Sequence, residues 1–217
     1  MKKLFYFLPI TIVFIVASIS SYGAEEVLLG MGNIALKADY INFTDDVLEN
    51  SDVDKGFYVG VEGYAQIVPN LYLGTEFGYA NPDGSIRECI YVPYYGAVCG
   101  KADTEVTFVP IELNLKYALD AAPNFIIDFG AGPSITYVKE EATISALGMT
   151  KSADVDDWIF GGQFFMDLNY TIKQFFIGFN VKYHLTEKPE YKYKGFKINT
   201  DYNYNNWRIG GHIGIMF

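Results

Sequence analysis

Between Asn33 and Phe217 one pattern recurs eight times: an apolar side chain at every second position, with polar, charged or glycine residues between. The first run sets Ile34, Leu36, Ala38 and Tyr40 against Asn33, Lys37 and Asp39. The second sets Phe57, Val59, Val61, Ala65 and Ile67 against Glu62, Tyr64 and Gln66, and the third sets Leu71, Leu73, Thr75, Phe77 and Tyr79 against Glu76. Val109 to Tyr117 alternates with Glu112, Asn114 and Lys116. Phe125 to Ile135 alternates with Asp128, Ser134 and Thr136, and Trp158 to Tyr170 with Gln163, Asp167 and Asn169. Ile177 to Leu185 alternates with Asn180, Lys182 and His184; the last run ends Trp207, Ile209, Gly211, Ile213, Ile215, Phe217. Side chains of a strand point alternately to its two faces, so each run predicts a strand with one apolar and one mixed face. Residues of formal charge make up 19% of the chain, yet none sits at an apolar-parity position.

The links between runs alternate in length. "VPN", "ALDAAP" and "TIKQ" are short, whereas about 42–55, 81–103, 138–156 and 186–204 are long. Short turns at one end and long loops at the other predict an all-β fold, an eight-stranded antiparallel up-and-down transmembrane β-barrel with its turns and both termini in the periplasm. A soluble lipocalin-like barrel is the alternative, with the apolar face turned inward. The mixed face decides against it, because it is rich in glycine and holds few charges for a solvated exterior: Lys37, Asp39, Glu62, Glu76, Glu112, Lys116, Asp128, Asp167, Lys182 and Arg208. Six acidic against four basic groups suit an interior network in a lumen just wide enough for side chains to fill. An Asp39–Arg208 pair is expected across the closure of the first and last strands. Aromatic residues fall at the run ends, where water meets lipid: Tyr40, Phe57, Tyr79, Trp158, Tyr183 and Trp207 toward the loops, and Tyr117, Phe125, Tyr170, Phe175 and Phe217 toward the turns.

The amino terminus changes the picture of the compartment. Lys2 and Lys3, an apolar run from Leu4 to Val16, and small residues before Ala24 have the layout of a secretory signal peptide over 1–23, leaving 24–217 as the barrel domain. Without the two leader lysines the chain keeps 14 basic against 26 acidic residues, a poor surface for nucleic acid. In an exported protein Cys89 and Cys99 are expected to form one disulfide; two free thiols are the alternative.

The leader, "GFYVGVEGY", "TFVPIELNLKY", "FGAGPSITY" and the closing "RIGGHIGIMF" resemble the small outer-membrane β-barrel family, which includes OmpA-type transmembrane domains and opacity-like "porin family" proteins. The resemblance spans the mature chain and implies residence in the outer membrane of a Gram-negative cell. It also implies contact with outer-membrane lipid and lipopolysaccharide, and recognition by the barrel-assembly machinery through Ile209, Ile213, Ile215 and Phe217. Gly211 fits that assembly signal weakly. Unlike full-length OmpA-type proteins, the chain is expected to carry no peptidoglycan-binding domain.

Candidate chemistry is sparse. His184 and Thr186 resemble the His-x-Ser of outer-membrane lipid A deacylases, but Thr replaces the nucleophilic Ser and parity turns His184 inward. His212 reads as a lumen hydrogen-bonding group. "NSDVDKG" offers Asn50, Asp52 and Asp54 at alternate positions, but the glycine comes one place late for a calcium loop and the twelfth position is Val61. "EYKYKGFKINTDYNYN" predicts the last long loop as an outward extension of the neighbouring strands, exposing Tyr and Lys to a surface ligand. The expected protein is a monomeric, non-enzymatic barrel with a filled lumen and no metal or cofactor, serving envelope structure or surface interaction. A narrow solute channel is the alternative, its bore blockable at Gly130 or Gly178; a lipid A-modifying enzyme is the third.

Overall fold

The computed structural model describes residues 29–92, 96–146, 149–193 and 196–217, with side chains placed for all of these except 87–92, 96–100, 146, 149, 192, 193, 196, 198 and 199. The signal peptide expected over 1–23 lies outside the described residues. The elements are β1 (Gly32–Phe43), α1 (Asp46–Asn50), β2 (Lys55–Val68), β3 (Leu71–Ala80), β4 (Asp83–Val92), β5 (Gly96–Ala122), β6 (Phe125–Ala146), β7 (Met149–Ile172), β8 (Phe175–Thr186), β9 (Glu190–Tyr193), β10 (Phe196–Asn199) and β11 (Asn206–Met216).

Eight of these strands close a ring in the order β1, β2, β3, β5, β6, β7, β8, β11, every pairing antiparallel. The seam pairs Asn33 with Met216 and Ile41 with Arg208. Reciprocal bonds of 2.9 Å between Gly32 and Phe217 pin its end. A closed ring leaves no unpaired edge in the hydrocarbon, where an orphan amide would cost several kcal/mol. At one end the chain reverses through Pro69-Asn70, Pro123-Asn124 and Lys173-Gln174. Asn70, Asn124 and Lys173 there adopt left-handed φ of 65°, 65° and 57°, a conformation that asparagine tolerates better than lysine.

Three strands outrun the sequence-based reading: β5, β6 and β7 have 27, 22 and 24 residues. Most of the expected loops 81–103 and 138–156 are therefore strand, and the β6–β7 ladder continues from Phe125↔Tyr170 out to Ala146↔Met149. The physical reason is that above the bilayer both faces of a sheet meet water, so apolar–polar alternation stops marking strands, while Thr, Val and Ile still favour them. Asn81 and Pro82 separate β3 from β4, which leaves the ring and pairs only with the outer half of β5. The last loop is also corrected. β9 and β10 form a hairpin of their own and do not extend β8 and β11. Within that loop Tyr191 and Tyr204 are buried, against the expected exposure.

The segment that failed as a calcium loop has a structural role. α1 is capped by Asp45, whose side chain accepts from the Val47 N–H at 3.1 Å. At its other end Asp52 is left-handed, with Asp52 N–H donating to the Glu49 carbonyl and Val53 N–H to the Leu48 carbonyl. This is a Schellman cap, whose usual apolar contact between the flanking residues is supplied by Leu48 and Val53. Both are buried in the mouth of the barrel.

Candidate functional site

The apolar parity faces outward over the whole ring. Leu36, Phe160, Phe164, Ile177, Ile213 and many like them are exposed side chains, a belt that only lipid could cover at tolerable cost. Both aromatic girdles are on this face: Tyr183 and Trp207 lie 4.4 Å apart at the outer rim, and Phe125 and Tyr170 lie 4.9 Å apart at the inner one. Ile209, Ile213, Ile215 and Phe217 share the lipid-facing side of β11.

The lumen is stratified. At the outer mouth Ile41, Phe43, Leu48, Val53, Tyr58, Val106, Phe108, Val138, Ile159, Tyr191 and Tyr204 form one buried apolar cluster. Above it Tyr202 and Tyr204 both donate to Glu140 Oε1. Burial and that carboxylate push both hydroxyls well above the ordinary phenol range, so they stay protonated donors. At the other end Leu29, Tyr64, Tyr72, Ala118, Ile126 and Phe165 form a second cluster. Leu29 enters it from the amino-terminal segment, its N–H donating to Tyr72 Oη at 3.2 Å.

Between the two clusters lie the ten charges, every one of them buried. Glu76 is the hub. Its carboxylate accepts from Lys182 at 2.5 Å, Lys37 at 3.2 Å, Arg208 at 3.2 Å and the Tyr58 hydroxyl at 2.6 Å. Glu112 accepts from Lys182 at 2.5 Å and from Arg208, and Glu62 from Lys37 at 3.1 Å. Lys116 stands apart, 3.4 Å from Asp128, with its ammonium 3.9 Å from the centre of the Tyr64 ring. Buried charges persist only when compensated in this way.

Among the described residues, two of the six lumen carboxylates have no cation within ion-pair distance. Asp39 accepts from Asn180 Nδ2 at 3.2 Å, and Asp167 accepts from no described group. The expected Asp39–Arg208 pair does not form. In the register Asp39 faces Gly210 while Arg208 faces Ile41, and the guanidinium crosses the lumen to Glu76 and Glu112. A long side chain in a narrow barrel reaches across the axis as easily as along the wall, which strand adjacency alone does not reveal.

Several glycines on the mixed face make room for rings. A Cβ on Gly130 would lie 2.2 Å from the Phe165 ring, one on Gly74 2.3 Å from Tyr64, and one on Gly78 1.9 Å from the Tyr58 hydroxyl. At Gly178 it would meet Asn169 and His212, both at 2.3 Å. Gly130 and Gly178, where the channel alternative would have its bore blocked, thus face aromatic, amide and imidazole side chains.

The candidate catalytic groups are sealed in. His184 Nε2 bonds the Ser134 hydroxyl at 2.7 Å, with both residues buried and His184 Nδ1 without a partner. Thr186 Oγ1 accepts from the Tyr204 N–H. A nucleophile, a base and an orienting carboxylate are needed together, within reach of substrate; among the described residues no carboxylate bonds His184, and the His184–Ser134 pair is buried. Cys89 and Cys99 are direct partners in the β4–β5 register. Directly opposed residues of antiparallel strands sit roughly 4.5–5.5 Å apart, within the span a disulfide bridges. Their side chains lie outside the described ones.

Parity places Asn114, Gln163, Asn169 and Asn180 on the mixed face, and all four are buried in the lumen. Leu29, Leu48 and Tyr204 carry no such signal, because they reach the mouths from outside the period-two runs.

The family described as "Outer membrane protein beta-barrel domain" matches residues 10–213. Among solved structures, Neisserial surface protein A is 12% identical, with 87% of this chain and 98% of that one aligned and a TM-score of 0.55. OprG of Pseudomonas aeruginosa is 13% identical over 88% and 100% of the two chains, at 0.47. The outer membrane protease OmpT of Escherichia coli is 10% identical over 91% and 100%, at 0.45. At 12% identity the first likeness is one of fold, and none of the three passes an activity to this chain. No curated protein sequence matches it.

Proposed function

This chain belongs to the outer-membrane β-barrel proteins, and from that premise we propose that it is a non-conducting, non-enzymatic surface protein: a solid barrel that anchors an acidic blade for a cationic partner. The sealed lumen carries the first half of this reading. Two apolar clusters cap a charge network most of whose members pair with one another, so a permeating ion would have to break buried ion pairs costing about 3–5 kcal/mol each to disrupt.

The blade carries the second half. β4 and the outer parts of β5, β6 and β7 form a four-stranded sheet. Past Tyr137 and Trp158, nine residues of β6 rise about 30 Å at 3.4 Å per residue. Asp83, Glu88, Asp103, Glu105, Glu140, Glu141, Asp154, Asp156 and Asp157 outnumber Arg87, Lys101, Lys139 and Lys151 on it. Such a field attracts cations and repels polyanions. Lipopolysaccharide phosphates are thus assigned to the barrel's surroundings and not to the blade. The opposed cysteines are assigned to a disulfide that braces the β4–β5 hairpin, and Ile209, Ile213, Ile215 and Phe217 to the assembly signal.

In planar bilayers the folded protein is expected to give no unitary current steps; steady open events would overturn the sealed-lumen reading. Held in nanodiscs, it is expected to retain polylysine and release it with salt, while ignoring heparin. Asp154→Asn with Asp156→Asn should weaken that retention several-fold. Equal retention of heparin would refute the charge assignment.

A further inference from the structure

The ten lumen charges sum to −2, and Asp167, one of the two carboxylates without a cation, lies in a cluster of metal-type ligands. Glu62, Asp167 and His212 each bring one ligand-type atom to within 4.8 Å of the other two, and all three residues are buried. Each of the three also carries an unpartnered ligand-type atom among the described contacts. Asp167 has neither oxygen partnered, Glu62 has Oε1 free while Lys37 holds Oε2, and His212 has Nδ1 free. We propose that this cluster is a site for one zinc-class divalent cation, which balances the lumen charge and cross-braces the barrel.

The tautomer of His212 is set by its neighbours. Asn169 donates its amide N–H to Asp128 Oδ2 at 2.8 Å, which fixes the amide and presents Oδ1 to His212 Nε2 at 2.6 Å. Nε2 therefore carries the proton, and Nδ1 is left as a lone pair. A metal-binding imidazole is typically held this way, with its other ring nitrogen donating to an oxygen that orients the ring. Gly178 is part of the arrangement, since a Cβ there would strike both Asn169 Oδ1 and His212 Nε2.

The donor set selects the ion. One imidazole and two carboxylates suit zinc-type ions, whereas calcium and magnesium ask for six or more oxygens. Bonds of about 2.0–2.1 Å at tetrahedral angles put ligand atoms about 3.3 Å apart, so donors lying within 4.8 Å of one another need to close by at most about 1.5 Å, within reach of side-chain rotation. Protonation is the competing way to neutralise Asp167, but one proton leaves the lone pairs of Glu62 and His212 without a donor. Within the ring β2 and β7 stand on opposite sides, and β11 lies between them along one wall. A shared ion would tie all three strands together.

The test refolds the untagged chain into detergent micelles with excess Zn²⁺ or Co²⁺, removes loose metal with a chelating resin, and measures metal per folded chain. Heat-modifiable gel migration scores folding. About one ion per chain is expected, with cobalt showing four-coordinate visible bands. Asp167→Asn and His212→Gln should each lower retention at least ten-fold, while Asp39→Asn, which removes a charge outside the cluster, keeps it. Should a variant fail to fold, X-ray absorption of the zinc-loaded wild type decides, because one imidazole must be among the ligands. Wild-type protein that retains no metal, retention unchanged in the cluster variants or equally lost in Asp39→Asn, or a zinc spectrum without imidazole would each overturn the proposal.

Discussion

Lys116 and Asp128 offer the sharpest test of a dry, packed lumen, because among the described residues each is the other's only ion partner. At 3.4 Å and an effective dielectric of about 20, their attraction is about 5 kcal/mol. Asp128→Asn keeps the shape and removes the charge. Lys116 is then left buried with the Tyr64 ring face and an amide oxygen, which together return about 2 kcal/mol, so a net loss of about 3 kcal/mol is expected. Lys116→Met leaves Asp128 with the Asn169 amide alone and should cost about the same. Combining the two removes both desolvation penalties, and the double variant should sit within about 1 kcal/mol of the wild type, more stable than either single. The assay is reversible urea unfolding in lipid vesicles followed by the fluorescence of Trp158 and Trp207, which lie on the lipid face. Losses that simply add, to about 6 kcal/mol in the double variant, would mean that water solvates each charge separately, and the packed-lumen reasoning would fail.

Two further predictions follow from geometry. Gly130→Ala places a methyl 2.2 Å from the Phe165 ring and should cost about 1–3 kcal/mol as an overpacked site. Gly130→Ala with Phe165→Leu should recover part of the loss in the same urea assay, and a silent Gly130→Ala would show that the ring is free to move away. Lys173, at φ 57° in a two-residue turn, bears strain that Asn70 and Asn124 bear more easily. Lys173→Asn or Lys173→Gly should stabilise by about 0.5–1 kcal/mol, and a lower unfolding midpoint in both would show that the lysine side chain makes a contact worth more than the strain.

What could be read from the sequence was set by the solvent around each segment. Inside the bilayer one face meets hydrocarbon and the other the lumen, so Ile34, Leu36 and Lys37 had to alternate, and parity alone put all ten charges in the interior. Above the bilayer that constraint lapses, and "VKEEATISA" and "MTKSADVDD" form strands without announcing it by period. Pairing across the axis was unreadable for a different reason. Parity says which way a side chain points, whereas the reach of Arg208 to Glu76 and Glu112 depends on barrel width and on which strands stand opposite. The same limit hid Glu62, Asp167 and His212, which have no ligand spacing in sequence because three strands supply one residue each.

The segments that stop the mouths show the converse. Leu48 and Val53 looked like parts of an acidic loop, and "NSDVDKG" drew attention for its carboxylates. Its useful property is conformational: Asp52 accepts a left-handed φ, the Schellman turn closes, and two apolar side chains swing into the barrel. An eight-stranded lumen must be filled by whatever lies near its ends. The residues outside the regular pattern are therefore the ones that make this barrel solid.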